Sequence, residues 1–499
     1  MNLFKLLAGE ENHLALVTPE GRSLTYKQLR ENIVGLVSQL NSFGLKRPDR
    51  IAIAMTNGSP MAITFLAVAL CGTAAPLNPK YKQEEFAFYY EDIQAKALIT
   101  LSESPKAAIA AVTPDMMLIN AKVNTDGTLS LKLVKTGSKP AESSNLAAPS
   151  ADDLAMILHT SGTTSRPKRV PIRHRNLIAS ANNIIGAYSL TADDTTLCLM
   201  PLFHIHGLVG CLLATLASGG TLICPNGFNA LEFWKLVDTY KPTWYSAAPT
   251  MHQTILARAS RNTEIVKANR FRFIRSSSAP LAPIIIEQLE ATLNAPVVES
   301  YSMTEASHLM TTNPLPPKVR KPGTVGYGFG VEVGIMDFEG NLLSQGSLGE
   351  VVVKAPNVID GYENNPQANA TAFVNGWFRT GDQGTLDADG YLRLTGRIKE
   401  LINRGGEKIS PLEVDDVLLR HPAVAEALAF AVPHKSLGED IHAAVVLKGE
   451  VSEKELLAYC STMLADFKVP KQIHILDQLP RGATGKLQRL AMAKLLNIG

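Results

Sequence analysis

Leu154-Ala155-Met156-Ile157-Leu158-His159 runs directly into Thr160-Ser161-Gly162-Thr163-Thr164-Ser165-Arg166-Pro167-Lys168. A short apolar run that gives way to Ser, Thr and Gly reads as a buried strand ending in a loop. That loop offers hydroxyls and unpaired backbone N–H groups, the donors a polyphosphate needs. Arg166 and Lys168 add positive charge. Gly162 is not followed at the right offset by Gly-Lys-Ser/Thr, so this is not a Walker A loop. The same residue types also make plain surface turns, so the flanking chain decides between the two.

Toward the N-terminus, Ser23-Leu24-Thr25-Tyr26 precedes Leu29, Ile33, Leu36 and Leu40, spaced for one helix face. A buried strand follows at 50–55, an apolar helix around 61–70 and another strand at 97–100. Strands alternating with helices predict a largely parallel α/β sheet. Residues 136–153 are rich in Ser, Pro and Ala and read as an exposed connection. Beyond the loop, short strands are expected at 221–224, 243–247, 271–275 and 297–300. From 331 the alternation tightens and turns come quickly, at 337–340 and at Ala388-Asp389-Gly390, which predicts a small antiparallel or barrel-like section. A boundary falls near 396–399. After it come a helix from Pro411, strands at 427–432 and 441–447, and a helix at 452–464. The expected fold class is α/β: an N-terminal domain, 1–396, of parallel α/β sheets plus a small barrel-like β section, and a smaller, mobile C-terminal α+β domain, 397–499.

The 499 residues are 45% hydrophobic and 19% charged with net charge +2, a balance that suits a globular protein and lacks the clustered basic excess of a nucleic-acid binder. No run of 18 apolar residues predicts membrane insertion, and the start, MNLFKLLAGEENH, is not a secretory signal. The five cysteines are scattered, without a C-x-x-C pair, and read as buried thiols of a reducing compartment. Cytoplasm is the expected location, with the protein a monomer or homodimer.

Further segments carry chemistry. Tyr301-Ser302-Met303-Thr304-Glu305 places a flat ring, a hydroxyl and a carboxylate together. Phe378-Arg379-Thr380-Gly381-Asp382, Gly396-Arg397-Ile398-Lys399, Arg404-Gly405-Gly406-Glu407-Lys408 and Arg481-Gly482-Ala483-Thr484-Gly485-Lys486 follow in that order, and Asn78-Pro79 and Pro201-Leu202-Phe203-His204-Ile205-His206-Gly207 precede them. Together with the Ser/Thr/Gly loop, these segments resemble those of the adenylate-forming superfamily, in the family's order and over essentially the whole chain. The chain departs from the family loop at Ser165 and at Arg169, where a flexible Gly is usual.

The resemblance implies an acid–thiol ligase that uses ATP, Mg²⁺ and coenzyme A. It implies that Thr160, Ser161, Gly162, Thr163, Thr164 and Lys168 hold phosphates. It also implies that Tyr301 stacks on adenine, Thr304 reaches the α-phosphate and Glu305 binds Mg²⁺. Asp382 takes the ribose hydroxyls, Arg397 contacts the nucleotide and Lys399 is the pivot of the small domain. Gly405 and Gly406 let backbone approach the thiol tunnel. Lys486 bridges the acid and the α-phosphate, and His204 is a further catalytic candidate.

The segments that line the acid pocket in this family are polar here: His204, His206, Arg275, Ser276, Ser277, Ser278, Ser307 and His308. Long-chain acyl pockets are mostly apolar, so a small acid with a second carboxylate fits better. Residues such as Ser276–Ser278 also commonly satisfy buried backbone. Met303-Thr304-Glu305-Ala306-Ser307-His308 and Ile398-Lys399-Glu400-Leu401-Ile402-Asn403-Arg404-Gly405-Gly406 resemble the oxalate–CoA ligases of fungi and plants. That resemblance implies oxalate as the small carboxylic acid, with His206, Ser277, Ser278 and His308 holding it. A medium-chain fatty or aryl acid, or transfer to a carrier protein, is the alternative.

Overall fold

The computed structural model describes residues 2–102, 104–137, 148–160, 167–481 and 487–498. Residues 138–147 of the expected connection, Ser161, Gly162, Thr163 and Thr164 of the phosphate loop, and Lys486 lie outside the described residues.

The strand that opens the phosphate loop, Leu154–Thr160, belongs to a seven-stranded sheet. Its order is Leu129–Lys135, Met117–Val123, Ala97–Leu101, Arg50–Ala54, Thr73–Pro76, Leu154–Thr160 and Lys168–Arg173. The four inner pairings are parallel and the two outer ones antiparallel. Inner strands are apolar on both faces, as a sheet covered on both sides requires. The helix Ser59–Cys71 is buried on nearly every side and packs among the strands; its apolar-all-round sequence reflects that position. On the helix Tyr26–Ser42, by contrast, Leu29, Ile33, Leu36 and Leu40 form one buried stripe, and Thr25 caps its N-terminus with a reciprocal bond to Gln28.

A second, nine-stranded sheet is also parallel through its centre, including Thr195–Cys198, Trp244–Ala247, Phe273–Ser276 and Val297–Met303. It ends in the antiparallel strand His308–Thr312 and the short Tyr327–Gly328. The small β section is an antiparallel five-stranded sheet built from Glu332–Met336, Gly349–Lys354, Phe373–Val374, Trp377–Leu386 and Leu392–Arg397. Residues from 402 onward form a fourth sheet with its own apolar cores and the helices Pro411–Arg420 and Glu453–Met463. Leu419 packs both against that core and against the core beneath the nine-stranded sheet.

The apolar stretch at 208–217 contains a feature its sequence did not announce. His206–Leu213 is a π-helix, and Ala214–Ala217 continues as an α-helix. Its glycines sit where a side chain has no room. A Cβ on Gly207 would lie 2.2 Å from the Pro201 carbonyl oxygen, and one on Gly210 would lie 2.5 Å from His308 Nε2. All five cysteines are buried and free, and burial pushes the Cys71 and Cys224 thiols up to about 12, so they stay protonated.

Candidate active site

Two antiparallel hairpins meet at the centre of the site. In the first, Leu154–Thr160 pairs with Lys168–Arg173, and Thr160 lies opposite Lys168. In the second, Val297–Met303 turns through 304–307 into His308–Thr312. The tight turn needs left-handed backbone at Ser307 (φ 48°) and His308 (φ 108°), which is strained for side chains of this size. The turn carries Glu305 toward the first hairpin. Thr160 Oγ1 donates to Glu305 Oε1 at 3.4 Å, and Tyr362 Oη donates to the same oxygen at 2.9 Å. Glu305 Oε2 has no hydrogen bond among the described residues. Glu305 is a largely buried residue, and this oxygen is left as an acceptor for a ligand.

Lys168 Nζ sits over the Tyr362 ring, 4.4 Å from its centre. Burial pushes the Lys168 ammonium down, with a smaller push from Lys399, while Glu305 pulls it back up. Arg169 is anchored between two elements. It donates to the Asp92 carbonyl at 2.6 Å and pairs with Glu363 at 3.4 Å, and Glu363 N–H returns to the Arg169 carbonyl at 3.1 Å. The cation that replaces the family's glycine therefore ties the end of the phosphate hairpin to the segment bearing Tyr362.

Tyr301 and Asp382 meet from different sheets. The Tyr301 hydroxyl donates to Asp382 Oδ2, while Arg397 Nε lies 3.3 Å from Asp382 Oδ1. Burial raises the Tyr301 phenol far above its ordinary value, and Asp382 adds to it. Asp382 is on a strand, directly opposite Arg397 on the next, and not in the turn that a Gly-Asp pair suggests. Lys399 lies in a short 3₁₀ turn just beyond, exposed. Thr304 opens the turn that holds Glu305, its carbonyl accepting from Ser307 N–H. Gly405 and Gly406 form the left-handed turn (φ 63° and 96°) between Ile402–Arg404 and Glu407–Ile409.

The acid-pocket candidates form one buried network. His206 Nε2 is 2.6 Å from Ser246 Oγ and His206 Nδ1 is 2.8 Å from Ser278 Oγ. The His206 and His308 rings stack 5.0 Å apart. Arg275, fully buried, donates to Tyr188 Oη at 2.9 Å, to His308 Nε2 at 2.8 Å and to Ser246 Oγ at 3.3 Å. It has no carboxylate partner among the described residues. Burial and the neighbouring Arg275 hold His308 well below the ordinary histidine range, so it is neutral. His204 Nδ1 accepts from His206 N–H at 3.3 Å. Ser277 has a different position: its hydroxyl donates to the Ser300 carbonyl at 3.0 Å and contacts Ser302 Oγ at 3.0 Å, tying two strands together. Tyr362 and Tyr188 were missed in the sequence, since neither lies in a motif, and Ser246 lies in the pocket segment 245–250 but was not singled out.

A parallel-sheet body, a strand end at Thr160 bonded to a buried carboxylate, and a Tyr–Asp–Arg set where two sheets meet are what an enzyme of the adenylate-forming type is expected to carry. The chain belongs to the AMP-binding enzyme family, whose model matches residues 4–363, and the family's C-terminal domain model matches 413–486. It is 45% identical to an oxalate–CoA ligase of Arabidopsis thaliana, covering 95% of this chain and 93% of the relative. It is 42% identical to an oxalate–CoA ligase of Saccharomyces cerevisiae, covering 97% and 94%. Among solved structures, ATP-bound MatB from Rhodopseudomonas palustris superposes with a TM-score of 0.87 at 29% identity, covering 99% of each chain. Among the described residues no helix is long and apolar enough to cross a membrane.

Proposed function

We propose that this protein is an ATP-dependent acid–CoA ligase that converts oxalate to oxalyl-CoA, releasing AMP and pyrophosphate. The observation that carries the substrate is Arg275: a fully buried guanidinium beside His206 and His308 with no carboxylate partner among the described residues. A buried cation without a counter-charge is costly. An acid with a second carboxylate supplies that charge, and an alkyl or aryl tail does not. The names of the two relatives support the same acid.

A carboxylate is a poor electrophile because its leaving group would be oxide. Attack of one carboxylate oxygen on the α-phosphorus of ATP expels pyrophosphate and leaves a mixed anhydride. A thiolate then attacks the acyl carbon and AMP departs with the electron pair. The first step brings anions together, so the site has to neutralise them. In this reading Lys168 and Lys486 carry that charge, Thr304 contacts the α-phosphate, Tyr301 stacks on adenine, and Asp382 and Arg397 hold the ribose. Glu305 Oε2 fits a Mg²⁺ ion, which accepts one or two carboxylates plus phosphate oxygens and would neutralise the leaving phosphates. His206, Ser278 and His308 hold the distal carboxylate, His206 acting through Ser278, with Ser277 as a strut. The segment from 397 onward turns about Lys399 between the steps and brings Gly405 and Gly406 toward the thiol. The cytoplasm, and a monomer or homodimer, complete the proposal.

The test is a panel of oxalate, malonate, hexanoate and coumarate, assayed for AMP with CoA present. Oxalate is expected to turn over fastest. Turnover of hexanoate with oxalate inert would overturn the substrate, and release of ADP and orthophosphate would overturn the ligase chemistry.

A further inference from the structure

The hydrogen-bond directions in the acid pocket are fixed from one end. A guanidinium has only donors. Arg275 Nη2 therefore donates to His308 Nε2, and because His308 is neutral its proton sits on Nδ1. That Nδ1–H is fully buried and has no partner among the described residues. The opposite edge of the ring abuts Gly210, so Nδ1 lies on the side away from the π-helix.

The second branch runs through Ser246. Arg275 Nη1 donates to Ser246 Oγ, whose own hydrogen then needs an acceptor, and His206 Nε2 at 2.6 Å is the one in reach. His206 Nε2 thus accepts, and His206 Nδ1–H donates to Ser278 Oγ at 2.8 Å. Ser278, in left-handed backbone (φ 78°), is left with its hydroxyl hydrogen to give away. The third side of the guanidinium is held by Tyr188, whose hydroxyl accepts from Nε and passes its hydrogen to Thr312 Oγ1 at 2.8 Å.

We propose that Arg275 is a positioning residue that sets the polarity of the acid pocket, holding His206 and His308 as Nδ1–H tautomers so that Ser278 and His308 present donors to the distal carboxylate. This deepens the oxalate reading and rests on it for the identity of the acid. A pocket that presents donors and a buried positive charge selects against acids lacking a second carboxylate. A site built to hydrogen-bond its substrate discriminates against the analogue without that group by on the order of 10⁴-fold.

Long-range ¹H–¹⁵N spectra of the ¹⁵N-histidine-labelled full-length enzyme, recorded without acid, read the tautomers directly. His206 and His308 are expected to carry the proton on Nδ1; finding either on Nε2 overturns the proposal. Arg275→Met should move His308 toward the Nε2–H form, and an unchanged His308 tautomer overturns it. Ser246→Ala, a smaller change that keeps the pocket filled if Arg275→Met fails to fold, should release His206 alone and leave His308 as it was. It should also raise KM for oxalate about tenfold, with KM for ATP within about twofold of wild type. Unchanged His206 spectra in that variant overturn the relay. If oxalate proves inert, the substrate reading falls while the spectra still decide the tautomers.

Discussion

Glu305 receives the Tyr362 hydroxyl at 2.9 Å on one oxygen, which orients the other. Tyr362→Phe keeps the ring beneath Lys168 and removes only that bond. It should weaken Mg²⁺ dependence of AMP formation by about 10–100-fold, the usual cost of losing a group that orients a ligand, read as a shifted Mg²⁺ titration at saturating ATP. Glu299, two residues before Tyr301, makes a different prediction. Burial pushes its carboxyl up to about 8, against the downward pull of the Leu281 and Gly323 N–H groups, and Asp416 adds to the rise. Its Oε2 has no partner among the described residues. The folded form keeps a proton that the unfolded chain loses near 4.5, the ordinary value of a glutamate. The stability this contributes is therefore full below that value and is lost as pH rises through about 8. Glu299→Gln, which cannot ionise, should flatten the fall in Tm across that range; an equally steep fall in the variant would assign the slope to other groups.

The π-helix His206–Leu213 gives His206 to the acid pocket and carries no side chain at Gly210, where it meets His308 and Arg275. A Cβ on Gly210 would lie 2.5 Å from His308 Nε2 and 3.0 Å from Arg275 Nη1. Gly210→Ala should therefore displace both groups, raise KM for the acid at least tenfold and leave KM for ATP unchanged. Overpacking of this kind costs stability by about 1–3 kcal/mol, measurable by denaturant titration. The phosphate hairpin shows the opposite device. Arg169 adds bulk at a position the family leaves flexible, and its bonds to Asp92 and Glu363 fasten the hairpin's second strand.

At the scale of the molecule, the two half-reactions ask one centre for two geometries, and in the proposed mechanism the segment after Arg397 supplies the second. Lys399→Pro fixes φ near −65° at the proposed pivot. It should leave ATP–pyrophosphate exchange within about threefold of wild type and reduce CoA thioester formation at least tenfold; equal loss of both would remove Lys399 from that role. The sequence alone determined the alternation of strands and helices and the buried stripe of Leu29, Ile33, Leu36 and Leu40, and it singled out the segments around Tyr301, Glu305 and Asp382 that are proposed to face the nucleotide. Periodicity and motif are local properties, carried by residues that are neighbours in the chain. Only the tertiary structure decided that Arg275 is buried with no carboxylate partner among the described residues, that Ser277 ties two strands, that Arg169 anchors the hairpin and that 206–213 is a π-helix. Those facts depend on encounters such as Arg275 with Tyr188, 87 residues apart, and Tyr362 with Glu305, 57 apart. Charge balance and hydrogen-bond direction in a buried site are properties of the whole set of partners, and folding assembles that set from distant parts of the chain.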